Sequence, residues 1–411
     1  MLTIYPATRS GGKKKRPKLG LATAGGGPVG AVYELGALRA LEESVQGLRL
    51  HHLDVYVGVS AGAFIAASLA NRISCKELCR IFMGVNHAEL KFLPERFLRP
   101  AYSEYFRRAK RVPSIVRETL LHMLRHPTHV SVSELIAALG KALPSGIFDN
   151  ETIHDFLEAS FEAAGRGNRF ADLDAELFVV AVDLDTGAAV RFGSDENRDV
   201  PISRAVQASA ALPGLYPPVR IGDRHYVDGA LRRTLHASVA LDRGVDLLFG
   251  VNPLVPFSSG NGGVSPHIEA RQLISGGLPL ILSQTFRAMI QSRMQVGFAK
   301  YRSSHPGADL LLMEPDRDDE KIFFTNIFSY SSRAALCEHA YQATRADLLA
   351  QADTLDELLE PYDMALDRKR LADRSRTLRA SIDHTLESHS SLSRSLTRTL
   401  DDLEELLGGP A

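Results

Sequence analysis

The stretch LDVYVGVSAGAFIAASLA, residues 53–70, decides the fold. Val55, Tyr56, Val57 and Val59 make a short β-branched and aromatic run of strand length. Ser60 follows between Gly58 and Gly62, and the small-residue run from Ala61 to Ala70 suits a helix that packs closely on a sheet. A strand that turns into a helix at a glycine-flanked serine is a βα unit. The residues upstream repeat the pattern: an apolar strand at Leu19 to Ala24, a glycine loop at Gly25 to Gly30, then a helix with Val32, Leu35, Leu38 and Leu41 at three-residue spacing. Strands alternating with helices of this length predict βαβ units and a mostly parallel sheet, an α/β fold.

Further strand signals lie at Leu177 to Val182, Ala189 to Phe192, Asp246 to Val251 and Leu310 to Met313. Helical signals lie at Ile202 to Ala210, Leu280 to Lys300 and Arg333 to Leu358, and Phe257 to Pro266 reads as a loop. The expected organisation is a disordered basic tail at 1–17, an α/β domain at 18–320 interrupted by a helical cap at about 75–145, and a helical extension at 321–411.

The 411 residues include 48 Lys+Arg against 49 Asp+Glu, 45% hydrophobic residues and 3 Cys, which excludes collagen, a wholly disordered chain and a disulfide scaffold. A net charge of −1 provides no global field for nucleic acid or an anionic membrane, so such contact needs a local patch. Cys75 and Cys79 share a helix and Cys337 stands alone, which reads as reduced thiols in a cytoplasm-like compartment, with no metal-site spacing. The most apolar stretch, Leu273 to Leu282, is interrupted by Ser275, Gly276, Gly277 and Pro279, so no span of about 20 apolar residues exists. The basic run from Lys13 to Lys18 is followed by too short an apolar segment for a signal peptide. The expected location is cytoplasmic, with peripheral contact at a membrane, and export by a route that leaves no recognisable signal stays open.

Gly58-Val59-Ser60-Ala61-Gly62 fits G-x-S-x-G, in which a sharp strand-to-helix turn exposes a serine hydroxyl above the sheet. The pentapeptide alone is weak, and a serine in an ordinary βα turn would also fit it. The preceding strand and following helix supply the required setting. Gly25, Gly27 and Gly30 admit two mechanisms. They satisfy the dinucleotide fingerprint G-x-G-x-x-G, but that reading needs an acid at the far end of the second strand, whereas Asp54 stands at its beginning. The same amides can instead form an oxyanion hole beside Ser60, and this reading explains both features together. Asp228, before a glycine turn, is the acid candidate for activating Ser60. His225, on the same short strand, and His236, eight residues after Asp228, are candidates for a Ser–Asp–His triad. A Ser60–Asp228 dyad needs fewer assumptions.

Gly25-Gly26-Gly27-Pro28-Val29-Gly30, Gly58-Val59-Ser60-Ala61-Gly62 and Asp228-Gly229-Ala230 occur in the order and setting of the patatin-like phospholipases. The proline block Ala208 to Val219, Gly146-Ile147-Phe148-Asp149 and Asp183-Leu184-Asp185-Thr186-Gly187 also resemble segments of that family, so the likeness covers about residues 18–232. The resemblance implies an α/β/α sheet and lipid acyl hydrolysis of the phospholipase A or lysophospholipase type without metal or cofactor. It further implies Ser60 as nucleophile, Asp228 as its partner, Gly25, Gly26 and Gly27 as oxyanion donors, and Gly58 and Gly62 as the elbow glycines. Val29 departs from the pattern, since the family usually carries Lys or Arg there. That departure leaves room for a scaffold that binds membranes or partners without catalysis.

Between Lys91 and Arg125 nine Lys/Arg face three Glu, with Phe92, Phe97, Tyr102, Tyr105 and Phe106 among them. Rings beside cations suit transient docking on a lipid surface, while an ordinary cap helix with its rings turned inward explains the pattern equally well. Nothing else points to nucleic acid. Leu392, Leu396, Leu400, Leu403 and Leu407 form one stripe, which fits a helix packed on its own domain or, more sharply, contact with a partner or a second copy.

Overall fold

The computed structural model describes residues 1–8, 16–84, 94–110, 112–114, 117, 118, 121, 140, 143–163, 165–257, 274–324 and 330–382. The leucine stripe at 392–407, Lys13 to Lys15, most of the cap between 111 and 142, and residues 258–266 of the Ser/Gly-rich loop lie outside the described residues.

The main sheet has nine strands: β1 (Leu2–Tyr5), β2 (Leu19–Thr23), β4 (Val55–Val59), β5 (Glu176–Asp183), β6 (Ala189–Phe192), β7 (Val219–Ile221), β8 (Arg224–Asp228), β9 (Leu247–Val251) and β10 (Asp309–Met313). A separate two-residue strand β3 (Val45–Gln46) pairs with β11 (Ala365–Leu366). The order β1-β10-β9-β2-β4-β5-β8-β7 places five parallel strands at the centre, from β10 to β5, with antiparallel pairs outside them.

Alternation along the central strands sends neighbouring side chains to opposite faces, and both faces are covered. Leu21, Tyr56, Leu177, Val179 and Phe249 enter a large core beneath helices α1 (Gly27–Ser44), α2 (Ala61–Ala70), α3 (Cys75–Met83), α5 (Glu151–Ala163), α6 (Ile202–Ser209) and α9 (Tyr330–Ala350). Ala22, Val57, Phe178, Val180 and Leu248 enter a smaller core beneath α7 (Ala237–Leu241) and α8 (Gly277–Ser304), which contributes Met294 and Phe298. The three-layer α/β/α architecture follows. Among the described residues no helix is long and apolar enough to cross a membrane.

Three boundaries differ from the sequence reading. Residues 2–5 are not tail but the edge strand β1, antiparallel to β10 with Leu2 opposite Met313. Helix α3 buries Leu78, Cys79 and Phe82 in the large core, so the cap begins beyond it. The 330–382 segment is not appended. Leu336, Cys337 and Tyr341 of α9 lie in the same core as α1, and the Tyr341 hydroxyl donates to Glu43 Oε2 at 2.5 Å. Gly36 of α1 makes this approach possible, because a Cβ there would lie 2.4 Å from the Cys337 carbonyl oxygen. The docking also brings the isolated Cys337 within hydrogen-bond reach of Cys79, and all three cysteines are free and buried.

In the described part of the cap, Phe97 turns inward and meets Phe156 edge-on, while Tyr102 and Phe106 of α4 (Tyr102–Ala109) are exposed. Glu104 pairs with Arg107 and Arg108, so two of the cap cations are already engaged.

Candidate active site

Backbone geometry at Ser60 is unusual for a side-chain-bearing residue: φ is 54° and ψ is −125° at the junction of β4 and α2. Such a residue carries about 1–3 kcal/mol of strain and persists only where its surroundings enforce it. Here the enforcement is visible. The Ser60 N–H donates to Ser209 Oγ at 2.8 Å, and the Ser209 hydroxyl donates to the Val180 carbonyl at 2.6 Å. Ser209, the fully buried last residue of α6, thus ties the elbow to β5. In the sequence it stands inside the proline block, where a lone polar residue between Ala208 and Ala210 is the available signal.

The flanking glycines are required by contact. A Cβ on Gly62 would lie 2.4 Å from the Ala24 carbonyl oxygen, and one on Gly58 would lie 2.4 Å from Ala63 Cα. Gly62 also donates its N–H to the Ala24 carbonyl at 3.1 Å, while its own carbonyl accepts from Thr23 Oγ1 at 2.8 Å. The start of α2 is thereby fastened to the end of β2.

Sheet register explains how Asp228 arrives. Each edge of a strand accepts one partner, and β6 occupies one edge of β5 from Val179 to Val182. Strands β4 and β8 therefore share the other edge, with Val59 opposite Val180 and Asp228 opposite Ala181. They run toward each other, and their carboxyl ends meet. Ser60 follows Val59 directly, so serine and carboxylate come together there, with the Ser60 hydroxyl near enough to Asp228 to act on its charge. Asp228 Oδ1 accepts the Ala230 N–H at 2.8 Å. Burial raises the Asp228 carboxyl to about 6, against the lowering effect of the Ser60 hydroxyl and the Ala230 N–H.

The glycine loop is shorter than its sequence suggests. Helix α1 begins at Gly27 rather than after Gly30, with Gly26 as its N-cap and Pro28 in the first turn, where an N–H would lack an intrahelical partner. Gly25 packs against the elbow, since a Cβ on it would lie 3.2 Å from Ser60 Cβ. Gly26 packs on Pro253, where a Cβ would approach Cγ to 2.6 Å. The N-terminus of an 18-residue helix, with its positive dipole end, is thus set beside the serine. Val29 is half-buried against the large core and offers no charge to the loop.

The histidines stand elsewhere. His225 is exposed and pairs with Arg220 across β7 and β8. His236 is buried with no hydrogen-bond partner on its Nε2 among the described residues, and burial with Arg233, Arg191 and Arg232 nearby lowers it to about 4. Asp183 is structural: it accepts the Asp185 and Thr186 N–H groups and pairs with Arg224 at 2.5 Å. Two other blocks quoted from the sequence contact each other, with the Ile147 and Phe148 N–H groups donating to the Leu215 carbonyl at 3.0 and 2.9 Å.

A mostly parallel α/β/α sheet thus sets a strained serine turn, a buried carboxylate and a glycine-capped helix side by side. A family profile described as patatin-like phospholipase matches residues 21–241. The chain belongs to that family.

Solved structures similar to the chain include VipD from Legionella pneumophila, at 14% identity and a TM-score of 0.36, covering 99% of this chain and 79% of that one. A full-length ExoU bound to SpcU, from the type III secretion system of Pseudomonas aeruginosa, is 15% identical with a TM-score of 0.27, over 96% and 78% of the two chains. Human GIVD cytosolic phospholipase A2, in complex with a linolenyl fluorophosphonate, is 13% identical with a TM-score of 0.29, over 84% and 59%. These superpositions are too loose to transfer residues, and family membership rests on the sequence profile.

Proposed function

We propose that the chain hydrolyses fatty-acyl esters of lipids as a serine hydrolase, with Ser60 as nucleophile and Asp228 as its base. The observation that carries this reading is the meeting of a hydroxyl held on a strained turn with a buried carboxylate raised to about 6. A base of that strength is ionised at neutral pH yet basic enough to take a proton as the serine oxygen attacks.

Ser60 Oγ attacks the ester carbonyl while its proton passes to Asp228. The negative charge that develops on the carbonyl oxygen is met by the Gly25, Gly26 and Gly27 amides at the α1 N-terminus. Collapse of the intermediate expels the alcohol, which takes the proton from Asp228, and leaves an acyl-Ser60 ester. Water then attacks that ester with Asp228 again as base, and the fatty acid is released. In the alternative triad a histidine stands between serine and acid. The meeting of Ser60 and Asp228 along one edge of β5, and a His236 ring with no carboxylate or serine bonded to it among the described residues, favour the dyad.

Kinetics on a long-chain ester test the assignment. Ser60→Ala and Asp228→Asn should each lower kcat by about a thousandfold or more, as losing a nucleophile or its base does, with thermal unfolding still cooperative. Normal turnover in either variant, or loss of turnover in His236→Asn alone, contradicts it.

A further inference from the structure

Helix α8 (Gly277–Ser304) is apolar on two sides. Its inner side buries Gln291, Met294 and Phe298. The opposite stripe carries Leu282, Phe286, Met289 and Val296, which are 45%, 43%, 50% and 72% exposed. At 100° per residue these four, with Arg293 and Lys300 between and beyond them, lie along one outward strip. The helix sequence contains Arg287, Arg293, Lys300 and Arg302 and no acid at all.

Its placement connects this strip to the site. At one point Arg287 Nη1 donates to the Pro253 and Val255 carbonyls at 3.5 and 3.3 Å, and Pro253 is the residue packed on Gly26. Six residues on, Arg293 Nη1 donates at 3.4 Å to the Leu231 carbonyl, three residues after Asp228. The helix therefore runs past both the oxyanion side and the acid side of the site. Near His236, Arg191, Arg232 and Arg233 are exposed, and among the described residues none of them pairs with a carboxylate, although Arg232 Nη1 donates to the Gly187 carbonyl. All three are close enough to His236 to act on its charge. Arg191 faces Val180 from the far edge of β5, which puts it two strand spacings, about 10 Å, from Ser60.

We infer that the outward strip of α8, with Arg191, Arg232 and Arg233, is a docking surface for an anionic phospholipid bilayer. Solvent-facing apolar side chains among unpaired cations suit the boundary between acyl chains and phosphates, and the acid-free helix is complementary to that charge alone. The choice of a lipid surface rests on the proposed ester hydrolysis. The geometry of the strip does not depend on that reading.

The test uses full-length Ser60→Ala protein, so that nothing is hydrolysed, in co-flotation with vesicles of phosphatidylcholine and of phosphatidylcholine mixed with phosphatidylglycerol. Binding is expected on both compositions and more tightly on the mixed vesicles. Phe286→Ser with Met289→Ser should weaken it by about tenfold on both compositions. Arg191→Gln and Arg233→Gln should each weaken it by about fivefold, on the anionic vesicles only. All four side chains are exposed, so the midpoint of thermal unfolding should stay within a few degrees of the parent. Absence of binding, or equal binding by parent and variants, overturns the proposal. So does a parent that self-associates through this strip, seen as a dimer in sedimentation that the Phe286 and Met289 changes dissolve. Failure here leaves Ser60 as nucleophile untouched, because that assignment is tested on turnover.

Discussion

At the scale of single residues, Asp228 and His236 make opposite contributions to stability over the same pH range. Asp228 has a folded pKa of about 6 against 3.8 unfolded, so the stability it contributes is fully present below the unfolded value and is lost as pH rises through about 6. His236 has a folded pKa of about 4 against 6.5 unfolded, so its contribution is present above the unfolded value and is lost as pH falls through about 4. Each group accounts for about 3 kcal/mol across the window, and in the native protein the two slopes largely cancel. Single substitutions should uncover them. Urea unfolding of Asp228→Asn should show stability rising with pH between about 4 and 6.5, and His236→Asn should show it falling between about 4 and 6. Parallel profiles for the two variants would contradict the assigned burial.

The elbow shows what an element needs beyond its own sequence. The Gly58–Gly62 pattern was legible because both glycines answer local clashes, and the turn at Gly229 was legible for the same reason: a Cβ there would lie 2.2 Å from the Val180 carbonyl oxygen. The meeting of β4 and β8 along one edge of β5 was not legible, since it depends on strand register across more than a hundred residues. Nor was the role of Ser209, whose two hydrogen bonds are both to distant chain. Its replacement is informative. Ser209→Ala should cost about 1–3 kcal/mol of stability by leaving the buried Ser60 N–H unsatisfied, and should lower kcat by about tenfold with little change in KM, since no substrate contact is lost. An unchanged kcat would mean that the strained turn holds without that bond.

For the whole molecule, the parallel α/β core was readable from alternating strand and helix signals, whereas the additions at its edges were not. Leu2 to Tyr5 is a short run ahead of a basic segment, and its partner β10 lies some three hundred residues away. The helix at 330–350 was visible as a helix, but its docking on α1 depends on Gly36 and on the burial of Tyr341. The helices on the α1 side of the sheet and the C-terminal helices accordingly share one core. Tyr341→Ala should cost about 3–5 kcal/mol in global unfolding, from the cavity and the bond lost to Glu43. It should also lower the midpoint reported by Ser60 reactivity together with the midpoint reported by far-UV ellipticity. Separate transitions for the two probes would mean that residues 330–382 unfold independently.

The central claim is that Ser60 is a nucleophile activated by Asp228. Treating the native protein with a fluorophosphonate probe and mapping the adduct by peptide mass spectrometry tests it most directly. The account predicts one stoichiometric adduct on Ser60, formed much more slowly in Asp228→Asn and absent in Ser60→Ala. An unlabelled Ser60 in folded protein, or an adduct on a different serine, would contradict it.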